Sequence, residues 1–263
     1  MFELVLGRIF ANQWQVVIVS AALLLAMAEL GFRCGLPLSR SKVASTRSQI
    51  GTVEAAVLGL LGLLLAFTFS MAVSRFENRR QMVLEEANAI GTTFLRASLL
   101  PAPHRQPVEE LLRRYVERRI VLQPTWQKDS RLIEIQTESA AIHRQLWVHA
   151  VSASQESPTP VVVSFVTALN QLIDNDAARV HAARARVPSP VWMLVLLVAG
   201  AGTFSCGYGA GSSGQRSSLA NGLMPLLIAV VITLIADLDR PGHGLISTSQ
   251  QPLIDLQDAL RLN

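Results

Sequence analysis

Charge is scarce in this chain, and its scarcity is uneven. Of 263 residues only 16% are Asp, Glu, Lys or Arg, against 50% apolar. Charges almost vanish from four blocks, 14–31, 51–74, 191–211 and 219–236. Each is near or above the roughly 17 residues that a spanning helix requires. Mean hydropathy is +0.36. Four such helices exceed what one soluble core of this chain length would bury, so the chain reads as an integral membrane protein. Cysteine is equally rare. Cys34 and Cys206 have no metal-ligand spacing and fall near the membrane face away from the soluble part, and no disulfide is expected between them. Strict apolar–polar alternation is missing over any length, which excludes a sheet.

Sites of chemistry are missing too. The Gly/Ser-rich stretch 207–214 has no Lys-Ser/Thr ending and no preceding strand, so it is not a phosphate loop. His104, His143, His149, His181 and His243 are scattered, and His143 and His149, six apart in one helix, do not share a face as ligands would. No nucleophile–base set appears. Neither an enzyme nor a cofactor is expected. The net charge of +4 does not imply nucleic acid, because much of the basic charge lies beside the spans, where it sets topology and meets anionic headgroups.

What the sequence does contain is organised around residues 51–99. An apolar segment runs through Leu63-Leu64-Leu65-Ala66-Phe67-Thr68-Phe69 and passes without proline into Arg75-Phe76-Glu77-Asn78-Arg79-Arg80 and on to Leu99. One seam can be followed through both halves: Gly59, Gly62, Ala66, Phe69, Val73, Phe76, Arg80, Val83, Ala87, Ile90 and Phe94. Its steps of three and four keep it on one helix face. A continuous helix here would be about 70 Å long at 1.5 Å per residue. About 30 Å would cross hydrocarbon. Gly51, Ala55 and Gly59, and then Gly62, Ala66 and Ser70, are ladders of small residues that permit close helix contact. They predict self-association through span two.

The predicted architecture is all-α: four transmembrane helices, at about 14–34, 51–74, 190–210 and 219–236, with a helical cytoplasmic lobe at 75–187 between spans two and three. Span two continues into the lobe. The domain division is 1–74, 75–187, 188–240 and a cytoplasmic tail, 241–263, with a short helix over 254–261. An alternative for the first span is a cleaved signal peptide ending at Ala26-Met27-Ala28, but the leader has one basic residue, Arg8, and the apolar run continues through Leu30 and Phe32. In the lobe, the helix that extends span two ends near Leu99, ahead of Pro101-Ala102-Pro103. A second helix spans 107–122, with Val108, Leu111, Leu112, Tyr115 and Ile120 as its apolar stripe. A third covers 128–151, striped by Leu132, Ile135, Ile142 and Leu146. A fourth starts at Pro160, capped by Thr159, with Val162, Phe165, Val166, Leu169, Ile173 and Val180 on one face. The glycines at 200–211 are expected to end span three in an irregular turn, and Pro225 to kink span four or sit in its first turns.

Eight basic residues near spans lie on the lobe side (Arg8, Arg75, Arg79, Arg80, Arg179, Arg184, Arg186 and Arg240) against five opposite (Arg33, Arg40, Lys42, Arg47 and Arg216). That balance puts the lobe and both termini in the cytoplasm of a plasma membrane. Glu29 and Arg33 are spaced to pair. Glu54, one turn into span two, is either a functional intramembrane acid or a headgroup-level one. Arg75 and Arg79, with Arg80, form a candidate basic vestibule where span two leaves the membrane, the competing reading being headgroup contact. Arg80 falls on the seam, either ringing an axis or pairing with Glu77, Glu85 or another lobe carboxylate. Asp237 and Asp239 are too few for a cation site and are expected to bond Arg240 or the arginines at 75–80.

Two motifs carry a family resemblance. Leu64-Leu65-Ala66-Phe67 through Arg79-Arg80 resembles the end of the second span in bestrophins. The fuller resemblance is to bacterial bestrophin-like membrane proteins. It rests on the long second helix, on Glu85-Glu86-Ala87-Asn88-Ala89-Ile90-Gly91-Thr92, and on the tail motif Asp237-Leu238-Asp239-Arg240-Pro241, and it covers about residues 45–255. For bestrophins proper it implies a pentameric anion channel whose second span lines the pore with an aromatic neck. Phe67 and Phe69 lie near mid-span and Phe76 beyond it. The dense acidic cluster of the family's calcium clasp has only Asp237 and Asp239 to match it, so calcium gating is not carried over. The functional expectation is a channel-like oligomer giving small ions, anions foremost, a passive pathway through the bilayer. The alternative is a non-conducting membrane scaffold or sensor whose lobe binds a partner.

Overall fold

The structure is a computed structural model that describes residues 13–37, 44–121, 129–214, 218–240 and 246–262. The leader with Arg8, residues Arg40 and Lys42, the Arg47, Leu132 and Ile135 side chains, Arg216, Pro241 and His243 lie outside what it describes. Among the described residues there are eight long helices: α1 Gln13–Gly35, α2 Ala44–Ala97, α3 Ala102–Val121, α4 Asp129–Glu156, α5 Pro160–Arg184, α6 Ser189–Ser213, α7 Ser218–Asp239 and α8 Gln251–Leu262. The protein is all-α, and four of its helical stretches are long and apolar enough to cross a membrane. The chain divides into two compact units, Met1–Ser74 with Arg186–Leu245, and Arg75–Ala185 with Ile246–Asn263.

Helix α2 belongs to both. It is one unbroken helix of 54 residues, about 80 Å at 1.5 Å per residue. Nothing in its sequence interrupts the backbone ladder, since it lacks proline from end to end.

In the first unit, α1 and α6 pack backbone to backbone. A Cβ placed on Gly31 or Gly35 would collide with the carbonyls of Phe204 and Tyr208. One on Gly207 or Gly211 would collide with those of Ala28 and Phe32. Both pairs are spaced by four, so each presents a flat strip along its helix, and dispersion between backbones replaces side-chain interdigitation. This corrects the expectation that the glycines at 200–211 unravel span three. They stay helical to Ser213, and the helix ends on Gly214, which takes the left-handed conformation (φ 68°) and donates its N–H to the Gly211 carbonyl at 3.1 Å. In lipid no water competes for the backbone of a glycine helix, so glycine's usual penalty there is outweighed by close approach. Pro225 is accommodated inside α7, which continues through it. The span-two ladder behaves differently: a Cβ on Gly51, Gly59 or Gly62 would meet nothing within 4 Å among the described residues. Helix α2 leans on α6 through the side chains of Val57, Leu58 and Leu61 against Gly202.

The second unit has an apolar core. Val83, Ile90 and Phe94 of α2 meet Leu112 and Val116 of α3, Leu146 and Ala150 of α4, Phe165 and Leu169 of α5, and Leu253 and Leu260 of α8. From the predicted stripes of α3 and α5, Val108, Leu111, Leu112, Tyr115, Val162, Phe165 and Leu169 lie in it. Thr159 caps α5, its hydroxyl accepting from the Val162 N–H at 3.4 Å, with Pro160 at the first position. Helix α3 starts at Ala102, not at the predicted Pro107. The N–H groups of His104 and Arg105 bond the Pro101 carbonyl, so the helix forms before Pro107 and sacrifices one bond, to the Pro103 carbonyl, in its second turn. The stretch expected to trail as a tail contributes α8 to this core. Its Leu253 is fully buried and its Leu260 carbonyl accepts from Arg113 Nε at 3.1 Å.

Replacing Gly207 with Leu should prevent α1 from closing on α6 and cost more than the roughly 1–3 kcal/mol typical of overpacking. Gly59→Ala should cost nothing within the chain. Thermal unfolding of the two variants in detergent checks the contrast, and a Gly207→Leu protein as stable as wild type would contradict the packing described.

Candidate functional site

Two sets of residues stand out: the predicted seam of α2, and a buried ionic cluster in the lobe.

The seam divides at the end of the apolar segment. Gly59, Gly62 and Ala66 are exposed, Phe67 and Phe69 are 63% and 39% exposed, and Val73 and Phe76 are half-buried. Beyond them Val83, Ala87, Ile90 and Phe94 are buried in the lobe core. Of the four apolar stretches, the one in α2 has the highest hydropathy, 2.3, and the smallest share buried within the chain, 17% against 33%, 39% and 56%. Of the basic group, Arg79 is buried, Arg75 half-buried and Arg80 exposed. Arg80 sits 4.0 Å from Glu77, a contact that contributes little at that exposure. The tail acids are buried. Asp239 Oδ1 accepts the Val187 N–H at 2.8 Å, so this carboxylate fastens the start of the third membrane segment to the end of the fourth. Burial, then Arg186, pulls Arg240 down to about 10, and Asp239 opposes the shift. The Arg33–Glu29 pair forms as predicted, at 2.9 Å. The Glu54 carboxylate lies against Gly209, and the Cys206 thiol donates to Met224 Sδ at 3.6 Å.

The second set was not predicted as a site. Glu86 of α2 is fully buried. Its Oε1 meets Arg119 Nε of α3 at 2.6 Å and accepts from the Tyr115 hydroxyl at 3.0 Å. Its Oε2 meets Arg179 of α5. Arg119 also reaches Asp176 Oδ1 at 2.9 Å, and Arg179 donates to Gln250 Oε1, just ahead of α8, at 2.7 Å. Two carboxylates and two guanidiniums thus balance in a water-excluded site, the condition under which buried charge is tolerated. Burial works against ionising Glu86, but the two arginines outweigh it and hold the carboxyl below its ordinary value. Burial pushes the Tyr115 phenol well up, so it stays protonated and donates. The i to i+4 spacing of Tyr115 and Arg119, and a Glu inside an otherwise apolar face at 83–94, were the sequence signals for this cluster. Their partners lie 29 to 93 residues away.

The structure also brings two of the scattered histidines together. His104 Nδ1 lies 3.3 Å from His149 Nδ1, and His104 Nε2 lies 3.1 Å from Glu156. The three groups form a line across α3 and α4, with no common point for a metal ion, and no group of metal-ligating side chains occurs among the described residues.

With this geometry in place, comparison with known proteins is informative. The pattern of the Bestrophin-like domain matches residues 16–253. The chain belongs to the Bestrophin-like domain family. Two crystal structures of single-site variants of a bacterial bestrophin homologue from Klebsiella pneumoniae have a similar fold. The first superposes with a TM-score of 0.61 at 14% identity, covering 92% of this chain and 99% of that one. The second gives 0.57 at 12%, covering 92% and 98%. No curated protein matches. The bestrophin-like chain is thus a multi-pass membrane protein whose four long apolar helices accompany a helical region, and its domain includes the first span from residue 16 onward.

Glu86→Gln should destabilise the protein by about 3–5 kcal/mol, because two buried guanidiniums lose their shared counter-charge. Chemical denaturation in detergent reads this directly. The histidines give a separate pH signature. Burial, and for His149 the neighbouring His104, hold His143 and His149 below the ordinary histidine value. The unfolded chain then binds more protons than the folded one, so stability is full above about pH 6.5 and falls as pH drops below it. Glu86 stays ionised through that window. Melting temperatures should decline from pH 7 to pH 5, and less steeply in a His149→Gln variant. A flat profile in the wild type would refute the assignment.

Proposed function

We propose that this protein is the subunit of a channel-like homo-oligomer, built around α2, that gives small ions, anions foremost, a passive pathway across the bacterial inner membrane, with lobe and termini in the cytoplasm. The observation that carries the reading is the uncovered seam of α2. The most apolar span is the one least packed on its own chain, and its exposed face combines Gly59, Gly62 and Ala66 with Phe67 and Phe69. Small residues let copies of α2 approach one another, and aromatic rings narrow a path between them. Arg75 and Arg80 stand where this face leaves the apolar segment, and a ring of such cations would concentrate anions at the entrance. Family membership supports the same reading. Neither the paired Asp239 nor Asp237 offers the oxygen-rich set that a calcium ion needs.

Chloride efflux from proteoliposomes tests this. Wild-type protein should release chloride above the rate of empty vesicles, with Phe67→Ala or Arg80→Gln changing the rate while the oligomer, sized by light scattering, stays intact. A particle mass of one chain plus detergent would remove the oligomer. No flux from a folded, oriented oligomer would leave a scaffold or sensor whose lobe binds a partner.

A further inference from the structure

Three side chains with metal-binding atoms meet at one end of the membrane unit. The Cys206 thiol, near the end of α6, donates to Met224 Sδ, near the start of α7, at 3.6 Å. Glu54, one turn into the apolar part of α2, bears electrostatically on the same thiol. Its carboxylate occupies the space beside Gly209, where an added Cβ would stand 3.0 Å from Glu54 Oε2. Cys206 and Gly209 are three apart and share a face of α6. All three side chains are half-buried, neither sealed in a core nor out on the surface. Helix α2 turns Glu54, Leu58 and Leu61 toward α6 and leaves Gly59, Gly62 and Ala66 exposed. The cluster is therefore separate from the pathway proposed above. Imidazoles, thiols and carboxylates do not gather in threes among the described residues. The thioether of Met224 supplies the donor that those groups lack.

We propose that Cys206, Met224 and Glu54 form a binding site for one soft monovalent metal ion, copper(I) by the chemistry of its donors. Thiolate and thioether are soft ligands, which favour copper(I) over harder divalent ions. The sulfur spacing suits such an ion. Two metal–sulfur bonds of about 2.3 Å, spanning 3.6 Å, meet at roughly 100°, close to the tetrahedral angle. A linear ion would hold the sulfurs about 4.6 Å apart, so the observed spacing asks for a third donor, and Glu54 stands beside it. On binding, the metal takes the place of the thiol proton. The S–H bond breaks, a sulfur–metal bond forms, and the proton passes to the Glu54 carboxylate, whose other oxygen closes the coordination. The single charges of the ion and the carboxylate then cancel, the state that a low-dielectric segment favours.

The test is an anaerobic titration of the full chain in detergent with copper(I) held by bicinchoninate, a coloured chelator whose bleaching reports transfer. A Cys34→Ser background removes the other, exposed thiol. That background, shown to be folded by its melting curve, should take up one equivalent of copper(I). Met224→Leu, which keeps the side-chain volume, should weaken uptake about tenfold, and Cys206→Ser about a hundredfold. Glu54→Gln should weaken it about tenfold and make each bound ion release one proton to the buffer, since the carboxylate no longer takes it. Zinc(II) at equal concentration should not displace the copper. No uptake by folded protein, uptake that survives Cys206→Ser, or ready displacement by zinc(II) would overturn the assignment. So would a Met224→Leu protein that binds as the background does, which would reduce Cys206 to an ordinary reactive thiol.

Discussion

The lobe depends on one buried carboxylate. Glu86 sits on the long helix that carries the second membrane segment, and it is the shared counter-charge for arginines on two other helices and the acceptor for Tyr115. Arg179 extends the arrangement to Gln250, at the entrance to the last helix. Apolar packing around it would tolerate many small rotations of α3 and α5, because the hydrophobic effect is non-directional. Charge-assisted hydrogen bonds in a dry site are directional and leave few registers in which both guanidiniums are satisfied. The cluster therefore specifies how the helices dock, while the surrounding leucines and valines supply the larger share of the free energy.

The membrane unit solves a related problem without charge. Where α1 meets α6, glycines at four-residue spacing let carbonyls of each helix lie where a side chain would otherwise stand. Lipid provides no hydrophobic push between helices, so contact area at short range is what holds them. The long helix α2 is not held in this way. Its small residues face away from its own chain, which is how a span with partners elsewhere should look. On the proposed function, one helix would pack on copies of itself in the bilayer while carrying Glu86 into the core of the lobe.

Much of this organisation could be read from the residues. The charge-poor blocks located the apolar helices, because transfer of charge into hydrocarbon is prohibitive. The absence of proline in α2 predicted its continuity. The stripes at Val108, Leu111, Leu112 and Tyr115, and at Phe165 and Leu169, mapped to the lobe core, since a 3.6-residue period leaves no other face for them. Thr159-Pro160 marked a helix start that the structure has. Periodicity did not show what a glycine-rich helix does: the run at 200–211 looked like a break, and the structure keeps it helical against α1. Propensity counts a glycine as a cost and cannot see a neighbouring backbone that needs its missing side chain.

By itself the sequence determined which segments are helical, which are apolar enough for a bilayer, and that one helix joins the two environments, because these follow from local composition and backbone sterics. Only the tertiary structure decided which glycines are contacts and which are bare. It alone brought Glu86 to Arg119 and Arg179, and His104 to His149. Those meetings join residues 33 to 93 positions apart, all of them on different helices. They depend on how each helix is rotated and docked against its neighbours, which no local pattern encodes.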